Sequence, residues 1–518
     1  MNPVDLPPLV QSLDLSDCDG LTDAWLAHLL TLEHLVSLDL SGQDLAPHWL
    51  ARLARHPRLE GLNFSSNHFN AESLQILAAH SRITTLVLSH IPMTPAQAHA
   101  LSQSSSIQSL TLRHCNLDVD GVHALSQLTH LRVLDISNNQ VDGSGLKSLQ
   151  SLASLVSLNV CDNQIGNLGA LALARLPQLR SLSAANCAIS NAGVGALATI
   201  GSLRELDLSH NEFDAQGAAL LGTFVQIRTL RLCGNDIGNE GIHALAHCQA
   251  LRVLTLAETG INDLALLTIA RLPSLRELDV CENDILPAGA RSLGKLQSLR
   301  ILRASGNQFG NVGAREIARL TGLRSLDIAD NNVGDTGVQA LSALFNLEFL
   351  NLSFNSVSHI GMTHLRSLTK VHTLYLSHTS TRERGAKVLS EIVQLRALFV
   401  SFSEVDPQGA AHLAKLPMIK TLVLAGNPIG DAGALALARN QTLESLDVEN
   451  CGIGDPGAIA LAASNQLEAL DIRGARISTG ARKALLHSQI RELVMPENSL
   501  ADSDRDDRYP MINPDISR

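Results

Sequence analysis

His90, His114, His210 and His378 stand at one common offset of a repeating pattern, and Ser137, Ser209, Ser305, Ser353, Ser377 and Ser401 share another. Histidine is a frequent general base and metal ligand, and serine a frequent nucleophile. Recurrence argues against catalysis, because a nucleophile is singular and needs its own adjacent base. His90 and His114 fall on neighbouring repeats, roughly 5 Å apart by strand spacing, which suits two metal ligands but brings no third into view. The chain has no Gly-x-x-x-x-Gly-Lys-Ser/Thr loop, no His-Glu-x-x-His and no Cys-x-x-Cys. The expectation is a chain without catalytic residues, cofactor or metal.

What fixes those offsets is a period. From Leu59 the pattern Leu-x-x-Leu-x-Leu-x-x-(Asn/Cys/Thr) recurs with a period of about 24 residues, without insertion or deletion, to the copy starting at Leu467. Further copies at Val10, Leu35 and Ile490 bring the count to 21 repeats ending at Leu500. A fixed period of this length predicts an α/β solenoid with a horseshoe curve, its parallel sheet on the concave face and its helices on the convex face. In the copy from Leu131, Leu134 and Ile136 alternate with Val133, Asp135 and Ser137, as in a strand with one buried face. Gly145, Leu146, Leu149 and Leu152 then follow at helical spacing.

The ladder position, held by Asn67, Asn139, Asn163, Asn211, Asn235, Asn283, Asn307, Asn331, Asn355 and Asn427, lies where the strand gives way to the helix. A buried amide there can bond the bare main-chain groups of its own loop and of its neighbour. Asn167, Asn191, Asn239, Asp263, Asn311, Asp335, Asp431 and Asp455 read as N-caps, able to accept the unpaired amide hydrogens of a first helical turn. The glycine two residues on, as at Gly193 and Gly457, serves close packing or an unusual backbone angle. Residues 1–34 form an N-terminal capping repeat, 35–489 the body, and 490–518 the last repeat and tail. Leu6, Leu9, Trp25 and Trp49 are expected to cap the first turns, and Tyr509, Met511 and Ile512 to fold back over the last.

The Leu-x-x-Leu-x-Leu-x-x-Asn-x-Ile block followed by a helix resembles the leucine-rich repeat proteins over nearly the full length. Gly169-Ala-Leu-Ala172, Gly195-Ala-Leu-Ala198 and Gly433-Ala-Leu-Ala436 look like the GALA class of effectors from plant-pathogenic bacteria, and the repeats are also similar to the ribonuclease-inhibitor-like group. The GALA resemblance implies a type III secreted virulence protein acting inside a host cell, usually with an F-box that recruits a ubiquitin ligase. Because the repeats begin by Val10, no F-box is expected before them, and the residues after Leu500 are too few for a catalytic domain. A ubiquitin-ligase component and an enzyme inhibitor stand as alternatives.

Composition narrows the partners. The formal charge is -11, and reading along the chain shows no basic cluster, which argues against a nucleic-acid binder. No apolar run is long enough for a membrane span, and the first residues lack a secretory core. Cys18, Cys115, Cys187 and Cys451 occupy the ladder position, while Cys161, Cys233 and Cys281 share another offset, roughly 10–15 Å apart and beyond disulfide reach. Reduced structural cysteines fit a cytosolic-type compartment, and a monomer is expected.

The residues flanking the buried leucines point away from the core. Phe349, Phe354, Tyr375, Phe399 and Phe402 all fall there in three consecutive repeats, among only 14 aromatic residues, with Asn351 and His378 as polar neighbours. Exposed aromatics are enriched at interface hot spots, so this group is the candidate site for a protein partner on the concave face. A second candidate is acidic: Glu205, Asp207, Glu277, Asp279 and Asp327 occupy the same columns, beside an arginine row at Arg204, Arg228, Arg252, Arg276, Arg300 and Arg324. Such an excess of acid can steer a basic partner segment.

Overall fold

The computed structural model describes residues 9–16, 18, 20–80 and 82–496. Leu6, Tyr509, Met511 and Ile512, with their expected capping roles, lie outside them. The chain divides into two compact units, Met1–Leu350 and Asn351–Arg518.

In the first unit, three-residue strands pair side by side in chain order from Ser12–Asp14 to Ser325–Asp327, all of them parallel. The second unit repeats this from Thr373–Tyr375 to Glu492–Val494. The strand Phe349–Asn351 lies at the division. Register never slips within a unit: Leu230 faces Leu254 and then Leu278, and Leu374 faces Leu398 and then Leu422. These leucines are buried, while the residues on either side of them along the strand stay on an open face. A helix returns behind nearly every strand, so each unit is a solenoid. Trp25 and Trp49 are buried in the helices Asp23–Leu29 and Pro47–Leu53, where the first turns need cover. No helix among the described residues is long and apolar enough to cross a membrane.

The asparagine ladder forms as the sequence implies. Asn139 Nδ2 donates to the carbonyls of Leu112, Ile136 and Ser137 at 2.7–3.0 Å, and its Oδ1 accepts the amides of Cys115 and Leu117. One side chain thus satisfies main-chain groups of two adjacent repeats. Where the ladder holds cysteine, the thiol keeps only the donor half: Cys115, Cys187 and Cys451 donate to Leu88, Val160 and Leu424 at 3.1–3.2 Å. All eight cysteines are free, and burial pushes Cys115 and Cys451 up to about 11 and Cys187 up to about 12, leaving inert thiols.

The expected helix caps act from one repeat to the next. Asn167 Oδ1 accepts the amides of Ser190 and Gly193 at 3.0 and 2.9 Å, and Asp431 Oδ1 those of Gly454 and Gly457 at 2.8 and 3.0 Å. Each caps the helix of the following repeat, not its own. The physical reason is its place: both residues already sit inside their own first turn, Gly166–Leu173 and Gly430–Leu437, whose amides point along the axis while the next helix starts alongside. This also explains the helix glycine. A Cβ on Gly193 would meet Asn167 Oδ1 at 2.6 Å, and one on Gly457 would meet Asp431 Oδ1 at 2.7 Å.

Candidate functional site

The aromatic group comes together on the open face of the second unit. Tyr375, Phe399 and Val423 are direct partners across adjacent strands. The Tyr375 and Phe399 rings stack with centroids 3.9 Å apart and planes 2° from parallel. Beside them runs a second column: the Phe354 and His378 rings are 4.2 Å apart, and those of His378 and Phe402 are 4.9 Å apart. Phe354 and Phe402 remain 56% and 54% exposed. Phe349 is half-buried and closes the first unit, while Asn351 opens the second, its Oδ1 accepting the Ser353 amide at 3.0 Å.

The second column has a property invisible in a list of residue types. Its backbone is left-handed in repeat after repeat: His90, His114, Asn138, Asp162, Asn186 and His210 have φ between 51° and 63°, Gly234 has 66°, and Phe354, His378 and Phe402 have 57°, 55° and 50°. Such a turn favours glycine, asparagine and aspartate. Phenylalanine is costly there, by about 1–2 kcal/mol. The signal is present in the sequence, since Gly234, Gly306, Gly426 and Gly474 hold that offset. Gly426 also ends the column physically, because a Cβ at that position would enter the Phe402 ring.

The acidic residues of the first unit prove to have structural partners. Asp207, Asp279 and Asp327 each accept the amide two residues on, from Ser209, Cys281 and Ala329, at 2.9–3.1 Å. Glu277 pairs with Arg303 at 2.6 Å, and Glu205 accepts the Ser181 hydroxyl at 3.0 Å. At Tyr375 and Phe399 that main-chain acceptor is given up for a ring. The two histidines that suit a metal pair by spacing, His90 and His114, are stacked 4.9 Å apart with planes 19° from parallel.

Sequence reasoning missed one cluster. Asp447, Glu449 and Asp471 bring carboxylate oxygens within 4.8 Å of one another. Arg473 binds Asp471 at 2.6 Å and Glu449 at 2.8 Å, occupying the place of a cation. Burial, and then the charges of Asp471 and Glu449, hold the Asp447 carboxyl above its ordinary 3.8. Below pH 3.8 the carboxyl is protonated folded or unfolded; as pH rises past it the unfolded form ionises first, so stability falls until the folded carboxyl ionises too. Asp447→Asn keeps an acceptor for the Glu449 amide, now at 2.9 Å, and removes that loss. Its melting temperature should exceed that of the parent at pH 7, with the gain disappearing as pH falls to 3.8. A gain that persists at low pH would rule out this cause.

The model of a leucine-rich repeat region matches residues 178–455, more than half of the chain, and a second leucine rich repeat model matches 105–165. The chain belongs to the leucine-rich repeat family, and neither matching model describes a catalytic one. No curated protein matches it at a significant level. Among solved structures it is similar to an internalin of Listeria monocytogenes, at 22% identity over 73% of this chain and 88% of that one, with a TM-score of 0.45. It is also similar to a leucine-rich repeat protein of Leptospira interrogans, at 18% identity, 91% and 97% coverage and a TM-score of 0.43. The ectodomain of a plant membrane receptor kinase from Arabidopsis thaliana, in complex with Casparian strip integrity factor 2, matches at 16% identity, 90% and 71% coverage and a TM-score of 0.36.

Proposed function

We propose that this chain is a non-enzymatic recognition scaffold that holds a protein partner against the open face of the second unit's sheet, with Phe354, Tyr375, His378, Phe399 and Phe402 as anchors. The observation that carries this reading is the placement of Phe354 and Phe402: two large apolar rings, more than half exposed, on left-handed backbone where other repeats carry glycine or a polar side chain at that offset. Folding alone gains nothing from such a choice, whereas strain and exposed apolar area at one place are features of binding surfaces.

The stacking also restricts the partner. Ring faces within each column are turned toward one another, so the edges, with their partial positive charge, point outward. They suit the face of a partner's aromatic side chain, its aliphatic groups or its carbonyl oxygens, and leave no free ring face in mid-column for a nucleobase. The direct test is an affinity pulldown comparing the parent with Phe399→Ala/Phe402→Ala: a partner captured equally by both would refute the anchors. The Gly-Ala-Leu-Ala segments support a finer form of this proposal, a type III effector whose partner is a host protein. A translocation reporter fused to the first residues tests that form. The scaffold acts as a monomer in this reading, which light scattering on the purified chain checks.

A further inference from the structure

Along the chain the arginine row is scattered charge; the fold gathers it. With Arg180 added, seven consecutive repeats of the first unit carry arginine directly after their first leucine or isoleucine. Each of these residues is bonded to the next through the main chain: the Arg204 amide donates to the Arg180 carbonyl, Arg228 to Arg204, and so on to Arg324, at 2.7–2.8 Å. The row therefore has the spacing of adjacent parallel strands, about 4.8 Å. All are exposed except Arg204, which is half-buried. Five residues before Arg180, Arg276 and Arg300 in the chain stand the exposed Arg175, Arg271 and Lys295. The two residues before the first apolar position of each of these repeats, from 177–178 to 321–322, include no acid.

Like charges this close lie well inside a Debye length of about 10 Å and repel one another. Little in the unit offsets that. Arg324 reaches Glu348 at 3.5 Å, and Arg204 and Arg300 turn back onto carbonyls of their own turns. Arg180, Arg228, Arg252 and Arg276 have no ion pair among the described residues. The corresponding edge of the second unit is different: Arg366 pairs with Glu391, Lys420 with Glu444 and Arg491 with Glu468.

We infer that this basic edge of the first unit, from Arg180 to Arg324, docks an acidic helical segment of a protein, presenting an aspartate or glutamate on each turn. A helical pitch of about 5.4 Å fits a row spaced about 4.8 Å better than does an extended strand, whose alternate residues are roughly 6.6–7 Å apart. Guanidinium forks pair bidentately with carboxylates. Seven rows span about 29 Å, the length of roughly 20 helical residues. A nucleic acid fits less well. Between Arg180 and Arg324 the aromatic residues, Phe213, Phe224 and Phe309, are buried, so that stretch of the edge offers bases no ring to stack on, and a long polyanion would run on over the remainder of a chain whose net charge is -11 despite these cations. The inference is independent of the aromatic site, since it concerns another unit and another chemistry.

The test uses the full chain and a fluorescein-labelled alanine–glutamate peptide of roughly 20 residues, with glutamates three and four positions apart. Anisotropy should show binding that weakens steeply with added salt. Arg228→Gln/Arg252→Gln/Arg276→Gln should weaken it about tenfold or more, while Arg396→Gln/Lys420→Gln and Phe399→Ala/Phe402→Ala leave it unchanged. Should the triple variant not fold, Arg252→Gln alone and the salt slope of the parent serve the same purpose. Unchanged affinity in the arginine variants, absence of binding at low salt, or equally tight binding of an oligothymidylate of the same length would each overturn the inference.

Discussion

Phe399→Ala combined with Phe402→Ala is expected to weaken partner binding about a hundredfold, the effect of losing two aromatic hot spots together. Each substitution removes a different contact. Phe399 is the parallel stacking partner of Tyr375 at 3.9 Å, so its loss frees one face of that tyrosine and unsettles its column. Phe402 closes its column between His378 and Gly426. Phe402→Asn separates binding from folding. Asparagine accepts the left-handed turn at little cost, so this variant should match or exceed the parent in melting temperature while losing affinity. A surface that served folding alone would show the reverse, with lower stability and unchanged capture.

How far the sequence reveals this depends on the direction in which it is read. Leucines recurring at a constant period specify strand, register and buried face, because a slip of one residue would expose Leu374, Leu398 and Leu422 together. The ladder was legible for the same reason, as Asn139 and Asn427 recur where main-chain groups would otherwise be bare. Relations between repeats were harder to see. Asn167 has the composition of a helix cap, but only the lateral distance to the next helix tells that it caps Ser190 and Gly193. The amide partners of Asp207 and Asp327 are not legible in the sequence, because they lie two residues away in a turn whose shape the period does not state. The arginine row showed no basic run along the chain, since its members are a whole repeat apart in sequence and one strand apart in space. The glycines Gly234, Gly306, Gly426 and Gly474 are the local hint that the column of Phe354 and Phe402 is left-handed.

Asn427→Ala is expected to be the most damaging single substitution near the site, at about 2–4 kcal/mol, because it strips five main-chain groups of a partner that water cannot replace. Asn427 is fully buried. Its Nδ2 donates to the Val400 and Leu424 carbonyls at 2.7 Å and to Ala425 at 3.4 Å, and its Oδ1 accepts the Ser403 and Val405 amides at 3.0 and 2.9 Å. Those last two amides follow shortly after Phe402 in the chain. The expected signature is therefore local: hydrogen exchange at Ser403 and Val405 accelerates about a hundredfold, while amides far along the solenoid keep their protection, because each repeat is stabilised by its neighbours. Partner affinity should fall as well, since the left-handed turn under Phe402 loses its support. Asn427→Cys offers the internal comparison. Cys451, one repeat on, donates its thiol to the Leu424 carbonyl at 3.2 Å, so cysteine should restore the donor half of the ladder and an intermediate exchange rate. Equal rates in the alanine and cysteine variants would mean that the acceptor oxygen carries the whole effect, and unchanged exchange in both would mean that the turn is held by the packing of Val405 and Leu424 alone.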